Sequence, residues 1–201
     1  QMCIRDSMPL DGDSKFKQLK KSFAKGKELR GKTLGLIGFG RIGQATAKIA
    51  IGLGMNVVAF DPFIDDVNLE LTFFDHQALF FHINTISKEE VLQESDFISI
   101  HVPAQKDYVI GAKELKQMKE GVFLVNAARG GVVDEVALSE AIEKGQVTGA
   151  ALDVFENEPT PEIQLLMNPN LSLSPHIGAA TTEAQSRIGT ELAEQIIEIL
   201  S

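Results

Sequence analysis

The sequence predicts an α/β fold organised as a doubly wound parallel sheet, and three observations carry that prediction. Short apolar segments of strand length alternate with helical segments from residue 33 to the C-terminal end, the order expected of a mostly parallel sheet covered on both faces. The first apolar run, Leu34, Leu36 and Ile37, stops at Gly38-Phe39-Gly40-Arg41-Ile42-Gly43, a glycine spacing that turns a strand sharply into a helix. The polar residues that break the apolar pattern, namely Asp61, His101, Arg129, Asp153, Glu158 and His176, follow strands, and open parallel sheets bind ligands at the carboxyl ends of their strands. Together these describe a Rossmann-type domain.

Taken in order, residues 1–7 show neither periodicity nor a cap, and Met2 to Ser7 looks like a translated library-adaptor sequence. They are set aside as a non-native leader, so the natural chain is expected to begin upstream of Met8. Ser14 is a candidate cap for a helix to about Ala24, with Phe16, Leu19 and Phe23 on one face and Gly26 or Gly31 at its end. Residues 8–30 therefore read as a connector from a preceding domain. In the glycine motif, Gly38 permits the tight turn, Gly40 lets backbone approach a pyrophosphate, and Gly43 lets helix and strand pack closely. The helix that follows offers free N–H groups at its N-terminus, and Ile42, Ala45, Ala47, Ile49, Ala50 and Leu53 lie along two of its sides before Gly52 and Gly54 close it. Val57 to Phe60 form a second buried strand that ends in Asp61, about 20 residues past the motif, where a ribose-binding carboxylate is expected.

Period-two alternation on either side of Asp75-His76-Gln77 (Val67, Leu69, Leu71, Phe73, then Leu79, Phe81, Ile83) predicts a hairpin of exposed edge strands. Ser87 and Glu90 form a capping box for a short helix with Val91 and Leu92. Asp96 to Ile100 is the next strand, and Pro103 takes the chain off it after His101 and Val102. A short helix with Leu115 and Met118, a strand over Val122 to Asn126, a helix from about Asp134 to Lys144 and a strand over Gly149 to Val154 follow. One apolar turn (Ile163, Leu165, Leu166), a strand over Leu171 to Ser174 and a last helix capped by Thr182, with Ile188, Leu192, Ile196, Ile197 and Leu200 on one face, complete the chain.

Composition excludes several classes. A net charge of −9 argues against a nucleic-acid partner, and the lysines between Lys15 and Lys27 read as a solvated helix face. The single cysteine, Cys3, rules out an intrachain disulfide framework, and no His pair has zinc-site spacing, so no metal is expected. His76 and His82 fall in the hairpin and read as surface residues. No run reaches the ~18 apolar residues of a membrane span, and the expected location is cytoplasmic.

Five motifs make the chain resemble the NAD-dependent D-isomer-specific 2-hydroxyacid dehydrogenase family: GFGRIG, the HVP loop, NAARGGVVDE (Asn126 to Glu135), ALDVFENEP (Ala151 to Pro159) and SPHIGAAT (Ser174 to Thr181). They cover nearly all of residues 30 to 200 in the family's order. The resemblance implies that Arg129, Glu158 and His176 are catalytic, with His176 as the base, Glu158 orienting it and Arg129 meeting the substrate carboxylate. It implies NAD contacts from Gly38, Gly40, Arg41, Ile42 and Gly43, from Asp61 and Pro62, from His101, Val102 and Pro103, from Ala127, Ala128 and Arg129, from Asp153 on the nicotinamide side, and from His176, Gly178 and Ala179. A carboxylate at Asp61 would repel the 2'-phosphate of NADP, which favours NAD. Residues 31–177 would be the NAD-binding domain, with 8–30 and a helix within 178–201 as remnants of a second, substrate domain that lies mostly outside this sequence. Within the family the texture is most like the branch that oxidises 3-phospho-D-glycerate; glyoxylate or hydroxypyruvate reductases and D-lactate dehydrogenases share the same three positions. A homodimer is implied, as is a rival role for the same domain as an NAD(H)-sensing scaffold for partner proteins.

Overall fold

Apolar alternation and glycine punctuation fold the described residues from Gly31 onward into one unit, and the described residues up to Arg30 belong to another. The computed structural model describes residues 13–22 and 26–200. In the first unit, α1 spans Asp13–Ser22, so Ser14 lies inside the helix and does not cap it; the expected leader 1–7, Phe23 and Ala24 lie outside the described residues.

The second unit is built on six parallel strands: β1 (Thr33–Ile37), β2 (Asn56–Phe60), β5 (Phe97–Ile100), β6 (Val122–Asn126), β7 (Val147–Leu152) and β8 (Leu171–Leu173), in the order β2-β1-β5-β6-β7-β8. Strand order reverses at β1, so the crevice between the carboxyl ends of β1 and β5 is the switch point of the sheet. On one face, Ile98, Ile100, Leu124 and Leu152 pack with α3 (Lys88–Glu94), α4 (Ala112–Gln117) and α5 (Glu135–Glu143) through Val91, Leu115, Leu138 and Ile142. On the other, Leu34, Leu36 and Ala59 pack with Ala47 and Ala50 of α2 (Arg41–Gly52). Each of the larger side chains contributes about 1.5–3 kcal/mol by leaving water. The small residues of α2 face the sheet, whereas Ile42, Ile49 and Leu53 remain 70%, 67% and 50% exposed on its outer side. Two further helices, α6 (Ile163–Leu166) and α7 (Thr182–Leu200), flank β8 in sequence, and α7 has no buried residue.

The Ser87–Glu90 capping box forms with both of its hydrogen bonds, and Asp134 caps α5 by accepting the Ala137 N–H at 2.9 Å. Three further expectations need correction. The hairpin exists as β3 (Asp66–Thr72) and β4 (Ala78–Asn84), but it is a separate antiparallel ribbon and not an edge of the main sheet. Its alternating apolar face turns inward: Leu69 is buried, with Val67, Phe81 and Ile83 packed around the same core as α2. β7 starts and ends two residues earlier than expected, because buried Val147 pairs with Val122. The last helix is capped by Thr181, whose hydroxyl accepts the Ala184 N–H at 3.1 Å, not by Thr182.

At the opposite edge from the switch point, Asp96 ties three elements. Its Oδ2 accepts the Thr33 N–H at 3.0 Å and its Oδ1 accepts Lys119 Nζ at 2.8 Å, and these two partners hold its carboxyl below the usual range. A carboxyl lowered on folding adds stability above its unfolded pKa of about 4, and that contribution is lost as pH falls through the folded value. Asp96→Asn is therefore expected to cost about 1 kcal/mol at pH 7 and markedly less at pH 3, measured by urea unfolding of both proteins at the two pH values.

Candidate functional site

All six strands are parallel, so their carboxyl ends share one edge, and every candidate residue of the sequence reading lies along it. At the switch point the fingerprint sits as the glycine roles require. Gly38 has φ +95, and a Cβ there would collide with the carbonyl of His101 at the end of β5. A Cβ at Gly43 would collide with the Gly38 carbonyl oxygen. Gly40, the N-cap of α2, has no side-chain cap and no atom within 4 Å of where its Cβ would be. Open space over an uncapped helix N-terminus suits an anionic group, with Arg41 and exposed Ile42 in the first turn.

Asp61 follows β2. Its Oδ2 accepts the Phe39 N–H at 2.7 Å and its Oδ1 accepts the Phe63 N–H at 2.9 Å, which fixes the carboxylate against the glycine loop. A carboxylate has about four acceptor sites, so each oxygen keeps one for a ribose hydroxyl. Pro62 is exposed beside it. His101 donates its backbone N–H to Ile37 and its Nε2 lies 3.0 Å from Ser99 Oγ; burial pushes the imidazole pKa down, which leaves a neutral ring next to the glycine loop. Val102 and exposed Pro103 lead the chain away.

Three segments build the other half of the edge. After β6, Asn126 closes a turn by accepting the Ala128 N–H and donating to the Arg129 carbonyl, both at 3.1 Å, and Arg129 Nη1 donates to the Ala128 carbonyl at 2.6 Å. After β7, Asp153 is buried. Burial raises its pKa, but Ser174 Oγ and the N–H groups of Ile177 (2.9 Å) and Gly178 (2.7 Å) more than offset that, and the group stays ionised. Any nicotinamide-side contact would share a carboxylate that already takes three hydrogen bonds. After β8, His176 Nδ1 lies 2.8 Å from Glu158 Oε2, and Glu158 Oε1 accepts the Phe155 N–H at 3.0 Å. His176, then the Phe155 N–H, hold the Glu158 carboxyl below its ordinary value. Arg129, Glu158 and His176 line one cleft of about 910 Å³, whose walls also include Lys106 and Tyr108; Gly178 and exposed Ala179 sit one turn beyond His176.

An ionised Glu158 on Nδ1 selects the tautomer with its proton there, which leaves Nε2 as a proton acceptor. Glu156, the neighbour with which Glu158 could be confused, is spent elsewhere: it exchanges hydrogen bonds with Glu135 and takes one from Tyr108. Glu135 and Tyr108 escape sequence reasoning because a pairing of residues 135 and 156 leaves no periodic trace.

The family model for the NAD binding domain of the D-isomer specific 2-hydroxyacid dehydrogenases matches residues 2–178. A hydroxypyruvate reductase of Thermotoga maritima is 48% identical over 185 residues, 90% of this chain and 56% of that protein. A D-3-phosphoglycerate dehydrogenase of Archaeoglobus fulgidus is 45% identical over 177 residues, 87% of this chain and 32% of that protein. The crystal structure of a glyoxylate reductase from Paecilomyes thermophila superposes with a TM-score of 0.69 at 38% identity, covering 82% of this chain and 48% of that one. The chain thus spans about half, or less, of the length of these relatives.

The two glycines separate fold from ligand. Gly43→Ala is expected to lower stability by about 1–3 kcal/mol through its collision with Gly38. Gly40→Ala should leave the melting temperature unchanged and weaken NADH binding at least about tenfold, since its Cβ would occupy the space open to the pyrophosphate. Thermal denaturation and NADH fluorescence titration of both variants check the pair.

Proposed function

The chain belongs to the D-isomer specific 2-hydroxyacid dehydrogenase family, and from that premise we propose that the whole protein is a cytoplasmic enzyme that oxidises 3-phospho-D-glycerate to 3-phosphooxypyruvate with NAD, the first step of serine biosynthesis. The observation that carries the reading is the convergence of Arg129, Glu158 and His176 on one cleft, with the His176–Glu158 contact at 2.8 Å. Bound NAD supplies the hydride acceptor. His176 Nε2 takes the proton of the C2 hydroxyl as the C2–H pair leaves as hydride and the C2 carbonyl forms. Glu158 holds the ring and stabilises the imidazolium that results. Arg129, with one N–H spent on Ala128, presents the rest of its fork to the substrate carboxylate.

Among 2-hydroxy acids, a substrate with a second anionic group is favoured because Lys106 joins Arg129 as a second cation in the same cleft. The similarity to a hydroxypyruvate reductase and a glyoxylate reductase supports a second reading, reduction of those smaller keto acids at the same residues. A homodimer is also inferred, supported by exposed Ile49 on the outer side of α2 and exposed Leu53 at its C-cap.

With the whole protein, NADH formation at 340 nm should be faster per mole of 3-phosphoglycerate than NADH consumption with glyoxylate, compared as kcat/KM; the reverse order would favour the second reading. His176→Asn should cut kcat by about 10²–10⁴ while NADH affinity stays within about twofold. Lys106→Ala should raise KM for 3-phosphoglycerate about tenfold and leave KM for glyoxylate unchanged. Ile49→Asp should halve the mass seen by light scattering if α2 forms the dimer contact.

A further inference from the structure

At the wall of the cleft, Glu156 and the buried Glu135, 21 positions apart, each give a backbone N–H to the other's carboxylate. Glu135 N–H donates to Glu156 Oε1 at 3.1 Å, and Glu156 N–H donates to Glu135 Oε1 at 2.8 Å. Tyr108, which also lines the cleft, donates its hydroxyl to Glu156 Oε2 at 3.2 Å. Glu135 is buried at the first turn of α5, where a free N–H needs an acceptor and a negative charge is favoured by the helix dipole. Burial raises its carboxyl pKa and the charges of Glu156, Glu162 and Glu158 add to the rise, while the Glu156 N–H opposes it. Keeping the Glu135 carboxylate buried beside the exposed carboxylate of Glu156 is costly, and the backbone N–H that each carboxylate takes from the other residue offsets that cost while tying the two segments together.

What it fixes is the loop that carries Glu158. Gly130 packs its α-carbon against the Phe155 carbonyl so closely that no Cβ fits, which presses the Arg129 segment onto the Phe155–Glu156 backbone. The Phe155 N–H in turn holds Glu158 Oε1, whose other oxygen meets His176. We propose that the reciprocal Glu135–Glu156 clasp, closed by Tyr108, is the positioning element of the site: it sets the 155–158 loop so that Glu158 reaches His176 and Arg129 faces both. Glu135, Glu156 and Tyr108 are thus positioning residues and not catalytic ones, and the proposal rests on the reading of Glu158 and His176 as a working pair.

The test follows the Glu158 carboxyl by ¹³C NMR pH titration in this chain, with Glu158→Gln identifying its signal. Other charges that face it are those of His176, Asp153, Lys106, Asp107, Arg129 and Glu156. Removing a neighbouring negative charge would by itself lower the Glu158 midpoint. Glu156→Ala, if it frees the loop, should instead raise the midpoint toward the ordinary carboxylate value, because Glu158 loses His176 and the Phe155 N–H. Glu135→Ala should do the same, whereas Glu135→Gln, which keeps an oxygen for the Glu156 N–H, should leave the midpoint near that of the parent. Amide spectra confirm that each variant is folded. His176→Ala is the control: no upward movement there would overturn the pair itself. An upward movement in His176→Ala together with no change, or a fall, in Glu156→Ala overturns the clasp and leaves the pair standing.

Discussion

Three backbones meet at Gly38, and the arrangement of the whole ligand edge depends on that meeting. The turn out of β1, the N-terminus of α2 and the end of β5 come together so closely that side chains are excluded at Gly38 and Gly43. Close approach at the switch point is what lets α2 lie flat on the sheet through Ala47 and Ala50 and point its free N–H groups into the crevice. It also brings Asp61 within reach of the Phe39 N–H, so the residue that would hold the ribose is registered against the loop that would hold the phosphates. Moving any of the three backbones by the width of a methyl group would separate those two functions.

The acidic composition has a structural use along the same edge. Beyond the last ladder bond of each parallel strand, loop N–H groups lose their sheet partners and need acceptors. Here side-chain carboxylates supply them. Asp61 takes the N–H groups of Phe39 and Phe63, Asp153 those of Ile177 and Gly178, Glu158 that of Phe155, Glu114 that of Gly111, and Glu135 and Glu156 take each other's. Hydrogen bonds to ionised acceptors are about twice as strong as neutral ones, so loops of this kind are held nearly as firmly as the strands they follow. A net charge of −9 is therefore more than a solvated surface; part of it is the frame of the site.

What was legible in the sequence follows the same division. The strands of the sheet, the glycine turn, the Ser87 capping box and α5 with its Asp134 cap are written in local patterns of period two, period 3.6 or fixed short spacing, and their boundaries come out within two residues. The hairpin was readable as a hairpin but not in its place, because alternation identifies an apolar face without saying what covers it; Leu69 turns out to pack beside Ala47 and Ala59. For the site, each strand-end residue was readable by position, since a parallel sheet sends them all to one edge. The contacts among them were not. The spacing from Asp153 in the family's motif selects Glu158 over Glu156, but what Glu156 does instead, its bonding to Glu135, is a long-range pairing with no spacing rule behind it.

His176 concentrates these features in one residue. Its φ of 54 lies in the left-handed region, where a non-glycine residue costs of order 1 kcal/mol or more and persists only if its surroundings enforce it. The enforcement comes from both sides of the sequence. Asp153 grips Ser174 ahead of it and Ile177 and Gly178 behind it, while Glu158 holds the ring by Nδ1. Several charge-assisted hydrogen bonds, each contributing about 1.5–3 kcal/mol, outweigh the strain of one residue. Two carboxylates, one buried at the end of β7 and one on the loop beyond it, thus divide the work: Asp153 fixes where the backbone of the 174–178 turn stands, and Glu158 fixes which nitrogen of the imidazole faces the cleft. On the proposed reading of the site, a histidine held in that way would present Nε2 as the proton acceptor before any substrate arrives.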